Sequence, residues 1–196
     1  MKMLKMTMVS IALASTLTLS GCGYNTLQAK DESVIGAWSE VQNQYQRRAD
    51  LVPNLVNVVK GYAKHEEQVL TEVTQARANV AGLKVDKEVL EDPALFQKYQ
   101  EAQAQMTGAL SRLIAVSENY PDLKANEQFR DLQVQLEGTE NRIAVARNRY
   151  ITTVQDFNSY SRQFPQVMTA KVIGMDTKPN FSAEQSAQKA PTVSFN

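Results

Sequence analysis

His65 is the single histidine of this 196-residue chain, and it is the first place to look for reaction chemistry. A di-metal carboxylate site in a helical bundle needs two Glu-x-x-His pairs, but the residue three before His65 is Tyr62. A zinc peptidase helix needs a second histidine four residues further on, where Val69 stands. Haem ligation by His65 and a methionine stays open, although a lone helical histidine is more often a surface or hydrogen-bonded residue. The sequence therefore predicts no metal site and no cofactor.

Other reaction signatures are also missing from the sequence. There is neither a glycine-rich phosphate loop nor a nucleophile elbow. Serine and acidic residues occur without a spacing that favours a catalytic triad. We therefore expect a protein that is not an enzyme.

A ladder of polar residues at helical steps accompanies Pro53, and it consists of Arg47, Arg48, Asp50, Asn54 and Asn57. One interpretation is a face that binds a partner or orients a ligand. The favoured one is a structural network, which satisfies the carbonyl freed by Pro53 and pairs with acids on neighbouring helices. Arg48 and Glu66 are charged residues at positions where the helical pattern of this region otherwise has apolar residues. We expect Arg48 to pair with an acid of the second or third predicted helix.

Cys22 is the only cysteine, and it ends the segment Leu19-Ser20-Gly21-Cys22 after an apolar run that is short for a transmembrane helix. This pattern resembles the bacterial lipobox, in which the thiol carries a diacylglycerol and the preceding residues are cleaved off. We expect residues 1–21 to be a signal peptide and Cys22 to be a lipid anchor, rather than an ordinary signal peptide or a buried cysteine. By the sorting rule of Gram-negative lipoproteins, Gly23 favours the outer membrane.

Composition places the chain among ordinary helical proteins. It is 43% hydrophobic and 21% charged, its formal net charge is +0, and it has only 8 glycines and 6 prolines. No basic patch predicts binding to nucleic acid. One domain with a core of its own is expected.

Three apolar seams with alternating steps of four and three residues predict three long helices. The seams contain Val34, Trp38, Val41, Tyr45, Val52, Leu55, Val59, Tyr62, Val69, Val73, Ala76 and Val80; then Leu95, Tyr99, Ala102, Met106, Ala109, Leu113, Val116 and Tyr120; then Phe129, Leu132, Leu136, Thr139, Ile143, Ala146, Tyr150, Thr153, Phe157, Tyr160 and Phe164. The first seam keeps its phase through Pro53, so we expect one helix to run to about Ala81 with a kink at Pro53. The alternative is a break at Asp50, which would give a four-helix bundle.

The predicted fold is an all-α, antiparallel, up-and-down bundle of three long helices with a short fourth over Gln166 to Ile173. The bundle covers residues 33–174, preceded at residues 22–32 by either a tether or the start of the first helix. Residues 175–196 are expected to be a mostly irregular tail.

Several ordered motifs make the chain similar to the LemA family. They are the lipobox, RRADLVPNLV, KGYAKHE, YPDLKAN, TENRIAVAR and the Phe164-Pro165 pair. The resemblance implies a helical bundle held at a membrane by its N-terminus, usually through a transmembrane segment; the lipobox departs from this and suggests a lipid. The resemblance does not imply an activity.

The expected function is that of a lipid-anchored scaffold or interaction protein of the cell envelope. Its expected partners are the membrane and another envelope protein, and the oligomeric state is left open. The alternative is a carrier of a small apolar molecule or lipid within the bundle, which would require an internal cavity.

Overall fold

The computed structural model describes residues 2–83 and 87–181, with side chains from residue 23 onward except that of Lys87. Six α-helices make up this part of the chain, together with a 3-10 turn at Lys87–Leu90. The helices are α1 (Lys2–Tyr62), α2 (Glu67–Ala81), α3 (Pro93–Ser117), α4 (Pro121–Ala125), α5 (Glu127–Ser161) and α6 (Gln166–Val172). The predicted all-α bundle is confirmed.

Helices α1 and α5 form an antiparallel pair along the whole bundle. Asn126 Nδ2 donates to the Tyr62 hydroxyl at 3.0 Å near one end. Near the other end, Lys30 forms an ion pair with Asp156. Helices α2, α4 and α6 also contact α1, whereas α3 packs mainly against α2.

Helix α3 runs parallel to α1, whereas α2 runs antiparallel to it. Gln103, early in α3, contacts Arg48, and Tyr120, just after α3, donates to Glu66 at 2.9 Å. Arg77 of α2 reaches back to Ala49 of α1. The order α1, α2, α3, α5 is therefore up, down, up, down.

The expectation that the first helix continues to Ala81 is wrong. It ends at Tyr62, and residues 63–66 form a turn from which α2 returns along α1. Four residues are close to the 3.6 of one helical turn, so a break of this length leaves the seam in phase. The phase of the apolar seam alone therefore could not distinguish one continuous helix from two helices joined by a turn.

Pro53 lies inside α1, as expected for a helix that continues through it, and the alternative of a break at Asp50 is wrong. Proline lacks an N–H group, so the carbonyl of Ala49 loses its helical donor. Arg77 Nε of α2 donates to this oxygen at 3.0 Å. The polar ladder was expected to satisfy this carbonyl, but the donor comes from α2 instead.

The core consists of two apolar clusters stacked along the bundle. The first includes Trp38, Phe96 and Tyr150 and lies towards the N-terminal end of the described bundle. The second includes Leu55, Val73 and Leu113 and lies towards the α1–α2 turn. The seam residues supply most of both clusters, but on α5 Val154 is fully buried while Thr153 is only partly buried.

The C-terminal segment 175–181 is irregular, as expected, but it packs tightly on the bundle. Lys178 Nζ lies 3.1 Å from Asp31 Oδ1, and both side chains are buried. Phe181 packs against Trp38 with ring centroids 6.2 Å apart. The charge of Asp31 is therefore compensated by a residue more than a hundred positions away.

At the N-terminal end, helix α1 passes through residues 23–32, and Leu27 is fully buried. Residues 23–32 are therefore helical and do not form a flexible tether. The structure does not describe the side chains of the expected signal peptide or of Cys22. Where the structure is described, no helix combines the length and apolar character that a membrane span requires.

We predict that Pro53 and Arg77 are energetically coupled. Arg77→Met should cost about 1–2 kcal/mol of unfolding free energy, because it leaves the partly buried Ala49 carbonyl without a donor. In a Pro53→Ala background the same change should cost clearly less, since residue 53 then supplies an N–H group. Urea unfolding of the four proteins measures the coupling. Strictly additive costs would contradict the assignment of Arg77 to this carbonyl.

Candidate functional site

Arg48 projects from α1 into the middle of the bundle, between the two apolar clusters, and is 1% exposed. Its Nη1 atom lies 3.0 Å from Glu140 Oε1 of α5 and donates to Thr107 Oγ1 of α3 at 2.7 Å. Its Nη2 atom donates to the Gln103 carbonyl at 3.2 Å and to the Gln103 side chain. We call Arg48, Gln103, Thr107 and Glu140 the Arg48 layer.

Helical geometry brings the layer together. Gln103 and Thr107 are one turn apart on α3, so both can face the same side chain of α1. The Thr107 hydroxyl donates to the Gln103 carbonyl at 3.1 Å while accepting from Arg48. Three helices are thus tied to one guanidinium group.

The charges of the layer are protected from water unequally. The Arg48 side chain is 2% exposed, whereas that of Glu140 is 36% exposed. A charge that keeps contact with water loses less solvation than one that is fully buried. Arg48 therefore depends on Glu140 more than Glu140 depends on Arg48.

Two tyrosines border the layer on the side of the first cluster. The Arg48 guanidinium lies 5.0 Å from the ring centroid of Tyr45, within range of a cation–π contact. Burial raises the pKa of Tyr45 and that of Tyr99 above the usual value of tyrosine. Both phenols therefore stay neutral near pH 7 and do not compensate the charge of Arg48.

A small cavity of about 150 Å³ adjoins the layer, and Arg147 also lines it. Its size leaves room for a few water molecules, each of which takes up about 30 Å³ in the liquid. It is too small for the apolar cargo of the carrier hypothesis, since ligand pockets typically measure about 300–1,000 Å³.

The ladder around Pro53 divides into one buried residue and an exposed face. Arg48 enters the layer, while Arg47, Asp50, Asn54 and Asn57 are exposed. Asp50 accepts a hydrogen bond from Gln46 at 2.7 Å. Arg48 is thus buried between the helices, whereas the other four residues form a polar surface of α1.

Glu66 lies far from Arg48, just beyond the C-terminal end of α1. It takes part in a second contact between two of the sequence motifs. Its carboxylate accepts from the Tyr120 hydroxyl at 2.9 Å, and Asn126 donates to Tyr62 beside it. Hydrogen bonding to Glu66 raises the pKa of Tyr120, because the carboxylate stabilises the protonated phenol. The segments KGYAKHE and YPDLKAN therefore meet, just as RRADLVPNLV meets TENRIAVAR in the layer.

Sequence reasoning missed Gln103, Thr107, Glu140 and Arg77. One signal was available for the layer: Thr139 is a polar residue on the third seam, directly before Glu140, and the structure buries it completely. Thr139 itself bonds to Gln135 and Arg142 rather than to Arg48, so it indicates the height of the layer only through its position beside Glu140. No local pattern singles out Arg77.

The layer is not arranged for catalysis. Its carboxylate pairs with a buried guanidinium, and its hydroxyl is hydrogen bonded to that group and to a backbone carbonyl. Among the residues with described side chains, no three His, Cys, Asp or Glu groups are placed to hold a metal ion. What the arrangement can do is hold α1, α3 and α5 at one relative height.

Comparison with known proteins agrees with the sequence motifs. The model of the LemA family matches residues 37–195. Magnetosome protein MamQ 2 of Paramagnetospirillum magneticum is 24% identical over 201 residues, covering 93% of this chain and 72% of the relative. Protein LemA of Metamycoplasma hominis is 25% identical over 135 residues, covering 69% of this chain and 58% of the relative.

We predict unequal costs for removing the two charges of the layer. Glu140→Ala should destabilise the protein by about 3–5 kcal/mol, because it leaves the buried guanidinium without a counter-charge. Arg48→Met should cost less than that, because water can solvate the partly exposed Glu140 carboxylate once its partner is removed. Guanidinium chloride unfolding of both variants gives the comparison. A larger loss for Arg48→Met than for Glu140→Ala would contradict the account.

Proposed function

Because the chain belongs to the LemA family, we propose that it is a lipid-anchored protein of the cell envelope that serves as a non-enzymatic scaffold for another envelope protein. The observation that carries the scaffold role is the Arg48 layer. The buried charge of Arg48 holds three helices together rather than acting on a reacting group. A rigid bundle with an exposed polar face on α1 suits the holding of a partner.

The proposed anchor is Cys22, acylated after removal of residues 1–21. The apolar run before Cys22 and the small residues Ser20 and Gly21 support this processing. Leu27, five positions after Cys22, is already buried in the core. The folded bundle would therefore stand directly on the membrane, and Gly23 supports the outer membrane in a Gram-negative cell.

The proposed partner surface is the exposed part of the ladder: Arg47, Asp50, Asn54 and Asn57. These side chains follow one another at helical steps beside the exposed ring of Pro53. They offer a cation, an anion and two amides, a mixture that suits a polar protein surface. None of them belongs to the Arg48 layer, so they can be changed without disturbing the core.

A second candidate function is the binding of a small apolar molecule or lipid. A surface groove of about 750 Å³ lies between α1 and α2, lined by Val56, Leu70 and Ala78, with Lys60 and Lys64 also along it. This groove, rather than the bundle interior of the carrier hypothesis, would hold such a ligand.

The experiment that tests the scaffold role is photocrosslinking in intact cells. A photoreactive residue at Asn54 should capture one discrete envelope protein, identified by mass spectrometry. The same residue at Asn148, an exposed asparagine of α5, is the matched control and should not capture it. Cys22→Ser should abolish capture at Asn54, because the unacylated chain would not be held beside its partner.

Three results would count against the proposal. Equal capture at Asn54 and Asn148 would mean that α1 carries no specific surface. Unchanged acylation and membrane extraction of Cys22→Ser would remove the lipid anchor. Capture of a lipid-sized adduct from Val56, with no protein captured from Asn54, would favour the second candidate function.

A further inference from the structure

Helix α6 and the turn before it expose large apolar side chains. Phe164 is 83% exposed, Met168 59% and Val172 85%. Met168 and Val172 are one helical turn apart on α6, and Phe164 lies in the turn directly before the helix. We call these three residues the α6 stripe. Scattered apolar residues are normal on a protein surface, but three on one short segment form a patch that usually marks a contact.

The α6 stripe lies at the end of the bundle from which the N-terminal segment departs. Gln166, the first residue of α6, has its Cγ 3.6 Å from the position of a methyl group built on Gly23. The opposite side of α6 is fixed to the bundle by Ala170, which is buried in the same cluster as Leu27. A bilayer that holds Cys22 therefore lies next to this end of the protein.

Charge and residue type around the stripe also suit a bilayer. Between the exposed Asp156 and Asp176, the chain contains the basic residues Arg162 and Lys171 and no acidic residue. Both basic side chains are exposed, and anionic lipid headgroups attract such groups. Tyr24, one residue after Gly23, is 43% exposed, and tyrosine is enriched where protein meets the headgroup region.

We propose that the α6 stripe inserts into the interfacial region of the membrane and forms a second contact beside the lipid on Cys22. This inference rests on the proposed anchor and deepens it. Apolar side chains of an interfacial segment sit about 5–10 Å into the boundary between headgroups and acyl chains. Two contacts fix the direction in which the bundle faces, whereas a lipid anchor alone leaves it free to swivel.

Depth-dependent fluorescence quenching tests the contact on the full mature protein. Met168→Cys introduces a thiol for an environment-sensitive fluorophore, and acylation of Cys22, the only native cysteine, leaves it as the single free thiol. The protein is purified from membranes and reconstituted into phosphatidylethanolamine–phosphatidylglycerol vesicles. Brominated lipids should quench the fluorophore at position 168, and aqueous iodide should not.

Val134→Cys is the matched control, since Val134 is an apolar residue 67% exposed in the half of α5 that lies away from Gly23. Its fluorophore should be quenched by iodide and not by brominated lipid. Iodide quenching at position 168 equal to that at 134 would overturn the proposal. Protection at 168 from both quenchers would also overturn it, because a protein surface would then cover α6.

Failure of the anchor is read out separately. The wild-type protein should take up no thiol label, because its cysteine is acylated. Labelling of wild-type Cys22 would remove the anchor, whatever the quenching at position 168. An unlabelled wild type with a water-exposed position 168 would remove only the α6 contact.

Discussion

A guanidinium group buried between two apolar clusters must find all of its partners inside the protein, because the loss of its hydration is otherwise uncompensated. The two terminal nitrogens of Arg48 find them on two helices: Glu140 of α5 supplies the counter-charge, and Gln103 and Thr107 of α3 supply acceptors, whereas the Nε atom has no hydrogen-bond partner among the described residues. Sliding α1 along α3 or α5 by one turn would move the guanidinium about 5.4 Å away from these groups. Such a slip would also disturb the close packing of the apolar clusters, but it would leave no charge unpaired there. We therefore infer that the layer is the main feature that specifies a single register.

The other polar contacts repeat this arrangement at different heights of the bundle. Lys178 pairs with Asp31 near the N-terminal end of the described bundle. Arg77 donates to the Ala49 carbonyl that Pro53 leaves free, and Tyr120 donates to Glu66 at the far end. The first two contacts join α1 to other segments of the chain, and the third joins the turn that follows α1 to the segment that follows α3. Helix α1 is therefore the element whose position all the others share, and it is also the helix that leads to Cys22. Whatever holds the N-terminus determines where the whole bundle stands.

The sequence predicted the features that depend on local patterns, and it missed those that depend on contacts between residues distant in the chain. The apolar seams are local, and they predicted α3 and α5 well. The turn at residues 63–66 was missed because its length preserves the seam phase, while contacts with distant residues such as Tyr120 hold the chain reversal. Arg48 was recognised as an interruption of the seam, but its partners lie 55 to 92 positions away and leave no local pattern. The packing of Lys178 and Phe181 was missed for the same reason.

The most direct test of the register claim is to make the layer apolar while conserving its approximate volume, with Arg48→Met, Gln103→Leu and Glu140→Leu in one protein. Buried polar groups can often be replaced by apolar ones without loss of stability, so the unfolding free energy should stay at or above that of the wild type. If the layer specifies the register, the amide NMR spectrum of this variant should lose its single set of sharp resonances and show several slowly exchanging or broadened states. A single sharp spectrum with unchanged contacts between α1, α3 and α5 would contradict the account, because it would show that the apolar clusters set the register alone.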